Sequence, residues 1–169
     1  MRLCLSYHTI AVVTATAHAI VAGALASRFT DPVTAGSLAF VSHYVMDSIP
    51  HWDIGTNWRG RDKRTTGALA IGETIIALTV AYFLFAGNTQ PLTLAVAVGA
   101  SLLPDWLEVP WYILFAKKDT NGPKKNSGWI ERLTFSLYKS QNFFHTKTQF
   151  PLGVLTQIAT VLFFLKILE

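Results

Sequence analysis

Ser42-His43-Tyr44-Val45-Met46-Asp47-Ser48-Ile49-Pro50-His51-Trp52-Asp53 is the stretch on which the fold of this chain turns. It begins inside an apolar run that includes Leu38, Ala39, Phe40 and Val41, and it reads as a helix that Pro50 ends. On a helix, His43 and Asp47 are about one turn apart and share a face. A polar helix would carry such a pair on its surface, as an ion pair worth at most about 0.5 kcal/mol. Here the neighbours are apolar, so the pair belongs to the interior. A charged group at the centre of a membrane helix costs about 2.5 to 3.5 kcal/mol on insertion scales, and such residues mark sites or pathways. His51 and Asp53 follow the proline, where the chain can fold back over the same place. Four nitrogen and oxygen candidates for a hard or borderline cation thus fall within eleven residues.

Working outward from this stretch, apolar runs occupy 9–27, 33–49, 67–86, 92–116 and 150–168, each near the length that spans a hydrocarbon core. They are rich in Ala and Leu and lack the period-two alternation of half-buried strands. The expectation is an all-α, polytopic membrane bundle of about five long apolar helices, one domain over 1–169; the alternative is a compact soluble bundle with an unusually apolar core. Charged residues make up 14% of the 169 positions, against about 25% in an ordinary soluble domain. Asp31-Pro32 is a helix start signal, and Pro104 and Pro110 should kink or split the fourth segment.

The net charge of +4 comes largely from two loops, one with Arg59, Arg61, Lys63 and Arg64, the other with Lys117, Lys118, Lys124 and Lys125. Two spans separate them, so both lie on the same side of a bilayer. The positive-inside rule puts them, and the amino terminus, in the cytoplasm, and the chain in the cytoplasmic (inner) membrane. Membrane lipids are then its expected partners, and no nucleic acid is expected. Residues 1–26 also read as a cleavable secretory signal, although His18 sits inside what would be its apolar region. Trp52, Trp58, Trp106, Trp111 and Trp129 fit interfacial anchors.

His18, Glu73 and Asp105 are single ionisable residues in the first, third and fourth apolar segments. A lone histidine on an apolar helix is more often a satisfied core residue than a ligand, but together these groups need partners, and the available partners are each other or a cation. Glu108 can share the face of Asp105. His145 lies just before the last segment, as a site residue or an interfacial one. A weak echo links His18 and the Pro50-His51-Trp52-Asp53 string to Glu73 and Pro104-Asp105-Trp106, as two helical hairpins of one pattern. With Cys4 the lone cysteine, a thiolate zinc cluster and a disulfide framework are excluded. The chain has no Gly-rich phosphate loop, Gly-x-Ser-x-Gly elbow or His-Glu-x-x-His motif, which removes nucleotide-binding modules and serine hydrolases.

Thr16-Ala17-His18-Ala19, Phe40-Val41-Ser42-His43 through Asp47, and Leu102-Leu103-Pro104-Asp105 resemble the motifs of small membrane-bound metal-dependent hydrolases, which include the LexA-regulated inner-membrane hydrolases. Those proteins are distantly similar to zinc phospholipase C-like helical proteins. Two features depart from that pattern. The Ser-His-x-x-x-Asp element here precedes Leu-Pro-Asp, and Phe150 stands where the second histidine of a His-x4-His pair would follow His145. The resemblance implies a divalent metal, zinc by analogy, and hydrolysis.

The expected function is metal-dependent hydrolysis of a phosphoester such as a phospholipid. The expected ligands are His18, His43, Asp47, His51, Asp53, Asp105 and His145, with Glu73 and Asp105 in catalytic roles, Glu73 as general base. Two other classes stay open. One is a cation or proton transporter, whose ionisable groups would be spread through the depth of the bilayer. The other is a non-catalytic interaction bundle whose buried polar groups only fix helix register.

Overall fold

A computed structural model describes residues 14–52, 61–116 and 122–169. Among these residues six α-helices form: α1 Thr14–Arg28, α2 Pro32–Ser48, α3 Lys63–Phe85, α4 Pro91–Pro110, α5 Trp129–Phe144 and α6 Leu152–Leu168. No strand occurs among the described residues, and the only bridge there pairs His51 with Lys147 in parallel. The all-helical expectation holds. Asp53 lies outside the described residues.

Local chemistry sets the helix ends that matter. Asp31 caps α2 by accepting from the Thr34 amide at 2.7 Å, and Pro32 supplies a preset first helical residue. The Thr34 hydroxyl and then its amide lower the Asp31 pKa. At the other end Ile49 turns extended, with φ −82° and ψ 131°, because a residue before proline is driven out of the helical region. The helix therefore stops within a turn of Asp47. Asp62 caps α3 through the amides of Arg64 and Thr65 and the Thr65 hydroxyl.

The core is built from small residues. Ala17, Ala22 and Ala26 of α1, Ala35 and Ala39 of α2, Ala77 and Ala81 of α3 and Ala97 of α4 are buried together. Small side chains let helix axes approach closely. α1 is central, packing on α2, α3, α4 and α6, and the most extensive pairing joins α2 to α4. Polar groups are satisfied across the seams: Ser101 donates to the His18 carbonyl (3.2 Å) and Thr93 to the Thr30 carbonyl (2.8 Å).

Three expectations change. Among the described residues two helices, not about five, are long and apolar enough to cross a membrane: 63–85, with 23 residues, and 91–115, with 25; residues 9–13 of the expected first span lie outside the described residues. α2 and α6 have 17 residues each, which is about 25 Å of helix against a hydrocarbon core of about 30 Å. Pro50 truncates α2, and Pro151 fixes the start of α6.

The fourth segment is also not split at Pro104. That residue is fully buried inside a continuous helix, whose packing tolerates one missing donor, and the hydrogen-bond register changes only after Pro110. There Trp111–Phe115 forms a π turn, closed by the Ala116 amide on the Trp111 carbonyl at 2.9 Å. Lys63 of α3 satisfies the Ile113 carbonyl at 2.9 Å.

Finally, Trp111 is a core residue and not an interfacial anchor. It is 1% exposed and packs against Phe115, Phe135 and Tyr138. This aromatic cluster fastens α5, which forms in a stretch the apolar pattern had treated as a connection.

Candidate metal centre

Asp47 is the hub. Its buried carboxylate ends the last full turn of α2, and imidazoles from three directions meet it. Oδ1 lies 3.1 Å from His18 Nε2 on α1 and 3.8 Å from His51 Nε2. Oδ2 lies 3.2 Å from His43 Nε2, one turn back on α2, and 3.9 Å from His145 Nδ1. His18, His43, Asp47 and His51 are all buried, and His145 is partly so.

Two overlapping groups could each hold a divalent cation. His18, His43 and Asp47 form one; Asp47, His51 and His145 form the other; within each, ligand atoms lie within 4.8 Å of one another. Asp47 is common to both, so one carboxylate can present an oxygen to each of two ions. Neutral imidazole nitrogen with carboxylate oxygen suits a borderline metal such as zinc, which the chain can supply without thiolate. The donor set therefore fits a divalent cation.

The local backbone explains why the second group assembles. Past the end of α2, the Asp47 carbonyl lacks a helical partner, and it accepts from the Thr146 amide at 2.8 Å. Thr146 returns its carbonyl to the His51 amide (3.1 Å), and the His51 carbonyl accepts from Thr148 (2.8 Å). The segment after α5 is thus laced to the segment after α2, and His145 stacks on His51 with ring centroids 4.6 Å apart. Their Nε2 atoms stand 2.9 Å apart. His51 Nδ1 donates to the Ile49 carbonyl at 2.9 Å, a bond that leaves the Nε2 lone pair facing Asp47 and His145.

Asp105 joins the first group from α4, its Oδ1 at 3.6 Å from His43 Nε2. Unlike Asp47, its side chain is 39% exposed, so the centre opens to its surroundings beside Asp105. His18 and His43 stack at 4.2 Å. Tyr44 packs edge-on to His43 and to Phe144 at the end of α5.

Of the residues named from sequence, His18, His43, Asp47, His51, Asp105 and His145 are brought together. Glu73 is buried, and its Oε1 accepts from the Ala15 amide at 2.9 Å, three residues before His18 on α1. Among the described residues it belongs to neither of the two groups that could hold an ion.

Sequence reasoning missed Gln141. It is 3% exposed, donates from Nε2 to Asp47 Oδ2 at 2.9 Å, and lies 2.8 Å from His43 Nε2. The available signal was its spacing of four residues before His145, on a line with Thr134 and Tyr138, which only a helix over 129–144 aligns.

The chain matches no family model, and neither the curated proteins nor the solved structures contain a match to it.

Proposed function

We propose that this protein is a membrane-embedded, metal-dependent hydrolase of phosphoesters, in which Asp47 is the residue that would be shared in holding two divalent cations. The observation that carries this reading is the gathering of four imidazoles on the buried Asp47 carboxylate, Oδ1 at 3.1 Å from His18 and 3.8 Å from His51, Oδ2 at 3.2 Å from His43 and 3.9 Å from His145, so that two groups able to hold a cation share Asp47. When bound, paired cations lower the pKa of water and stabilise the entering and leaving oxygens of a phosphoryl displacement.

The chain's own residues supply the rest. Buried His18, His43 and Asp47 exclude bulk water and hold the electropositive centre in place. Asp105 is the carboxylate of the cluster that reaches the opening, and so the group placed to take the proton of an attacking water. We assign this role to Asp105 ahead of Glu73, because Asp105 lies 3.6 Å from His43 Nε2 and Glu73 Oε1 accepts from the Ala15 amide. Convergence on one carboxylate, rather than dispersal along the helices, supports a site over a transport pathway.

Membrane insertion is supported by two helices of spanning length and by a broad apolar perimeter. Ile75, Phe83, Leu92, Leu114, Leu155 and Phe163, on three helices and the π turn, are all more than half exposed. Exposure of so many large apolar side chains favours a lipid surround over water. The charge of the loops between α2 and α3 and between α4 and α5 supports placing both in the cytoplasm, with the chain in the inner membrane. A phospholipid is the substrate class that such a setting favours. The resemblance to membrane-bound metal-dependent hydrolases agrees with this reading.

Elemental analysis of detergent-purified protein, wild type beside His43→Ala/Asp47→Asn, tests it. Two equivalents of divalent metal, lost in the variant, are expected. Protein that stays metal-free after reconstitution refutes the proposal and favours a non-catalytic bundle.

A further inference from the structure

Gln141 presents an inconsistency that a cation resolves. Its Nε2 sits where two acceptors converge, 2.8 Å from His43 Nε2 and 2.9 Å from Asp47 Oδ2. Its Oε1 is buried and has no hydrogen-bond partner. A buried amide oxygen left without a partner costs free energy, and native interiors rarely keep one. Turning the amide over in a cation-free site would not help, because Oε1 would then face the Asp47 carboxylate oxygen across the same short gap. With a cation at the point where His43 Nε2 and Asp47 Oδ2 converge, the turned amide gives its oxygen a partner. Oε1 faces positive charge, and the amino group leaves a position that it cannot share with an ion. A Gln side chain offers both donors and acceptors through such a turn, which Leu or Glu cannot reproduce in full.

We infer that Gln141 is a ligand: its Oε1 coordinates the cation held by His18, His43 and Asp47. This rests on the metal-centre reading above and deepens it. The amide serves as a placeholder when the cation is absent, its NH2 donating to the groups the cation would bind. A neutral oxygen ligand adds no charge to a cluster already holding Asp47 and Asp105, and it makes the first cation's surroundings richer in oxygen than those formed by His51 and His145. The two positions therefore differ in hardness, and the Gln141 position is the more tolerant of oxygen-preferring ions such as Mn2+.

The test uses the full chain in detergent, stripped with chelator and reconstituted with Zn2+ or Co2+. Metal stoichiometry and affinity are measured for wild type, Gln141→Leu and Gln141→Glu, with size-exclusion profiles as the folding control. Wild type should bind two ions. Gln141→Leu should keep one and bind the other about tenfold more weakly or worse. Gln141→Glu, which keeps an oxygen but loses the NH2, should bind both and shift the visible Co2+ spectrum.

Two ions bound by Gln141→Leu with wild-type affinity would overturn the inference alone. Loss of the ion in Gln141→Glu as well would also overturn it, by showing that the NH2 matters as a donor that positions Asp47 and His43. If Gln141→Leu does not fold, the Gln141→Glu spectrum decides: a shift supports ligation and an unchanged spectrum rejects it. A wild type that binds no metal would remove the metal centre itself, and this inference with it.

Discussion

Gly153→Ala tests whether the backbone contact between α6 and the segment after α2 holds His51 in the centre. Gly153 is the second residue of α6, where alanine gains about 0.5 to 1 kcal/mol from helix propensity. Against that gain, a Cβ at Gly153 would stand 2.9 Å from the His51 carbonyl carbon and 2.7 Å from Trp52 Cβ, and closer still to the Trp52 amide nitrogen. The obstructing atoms are mainly backbone, and they cannot yield freely. Residue 51 is laced on both sides to 146 and 148, and the Thr156 hydroxyl of α6 donates to the Pro50 carbonyl. Overpacking of this kind costs about 1 to 3 kcal/mol. The contact should outweigh the gain, leaving a net loss of up to about 2.5 kcal/mol.

The displacement falls on a ligand, so metal binding should suffer selectively. Affinity for the ion shared with His51 and His145 should drop about tenfold or more, while the His18, His43 and Asp47 group keeps its ion. Thermal unfolding in detergent reads the first effect and metal titration the second. Gly72→Ala on α3 is the control, because nothing lies within 4 Å of its Cβ. It should be neutral or stabilise by up to about 1 kcal/mol. A Gly153→Ala protein as stable as Gly72→Ala, with both ions bound at wild-type affinity, would refute the reasoning.

Three further outcomes are expected. Trp111→Ala should lose about 3 to 5 kcal/mol by removing a buried indole, and protease should then cut around α5, which carries Gln141 and leads to His145; an intact α5 under limited proteolysis would count against the aromatic anchor. Asp105→Asn should retain both ions yet hydrolyse an activated phosphodiester about 10²- to 10⁴-fold more slowly, and unchanged turnover would remove Asp105 as the base. The Thr65 hydroxyl and the amides of Thr65 and Arg64 hold the Asp62 pKa below its ordinary 3.8. The stabilisation is thus complete above 3.8 and lost as pH falls through the lowered value. Asp62→Asn should flatten that acid-side fraying, read as hydrogen exchange at 63–65, and identical pH curves for the two proteins would contradict it.

Much of the candidate site was legible in local sequence because its signal is local. His43 and Asp47 are related by one helical turn, and an apolar helix offers them no solvent, so composition and spacing sufficed. His18, Asp105 and His145 stood out because ionisable side chains in or beside apolar segments need partners, although nothing in the sequence said which partners. Glu73 met the same criterion and was satisfied differently, by an amide of α1. Gln141 escaped because a glutamine among polar neighbours is unremarkable until α5 is known to be a helix packed on α4 and α2.

By itself the sequence determined an all-helical chain, the stop of α2 after Asp47, and the presence of groups that must pair or bind a cation. Each follows from interactions within a few residues: proline geometry, helical periodicity and the cost of desolvating charge. Only the tertiary structure decided that four imidazoles gather on Asp47, that Glu73 Oε1 meets the Ala15 amide, and that the Gln141 amide reaches both His43 and Asp47. Those facts depend on contacts between residues as many as 98 positions apart, which the alanine-lined helix seams and the pairing of 145–148 with 47–51 bring about. No local propensity encodes such distances. They emerge when the packed helices leave a polar interior one shared place to gather.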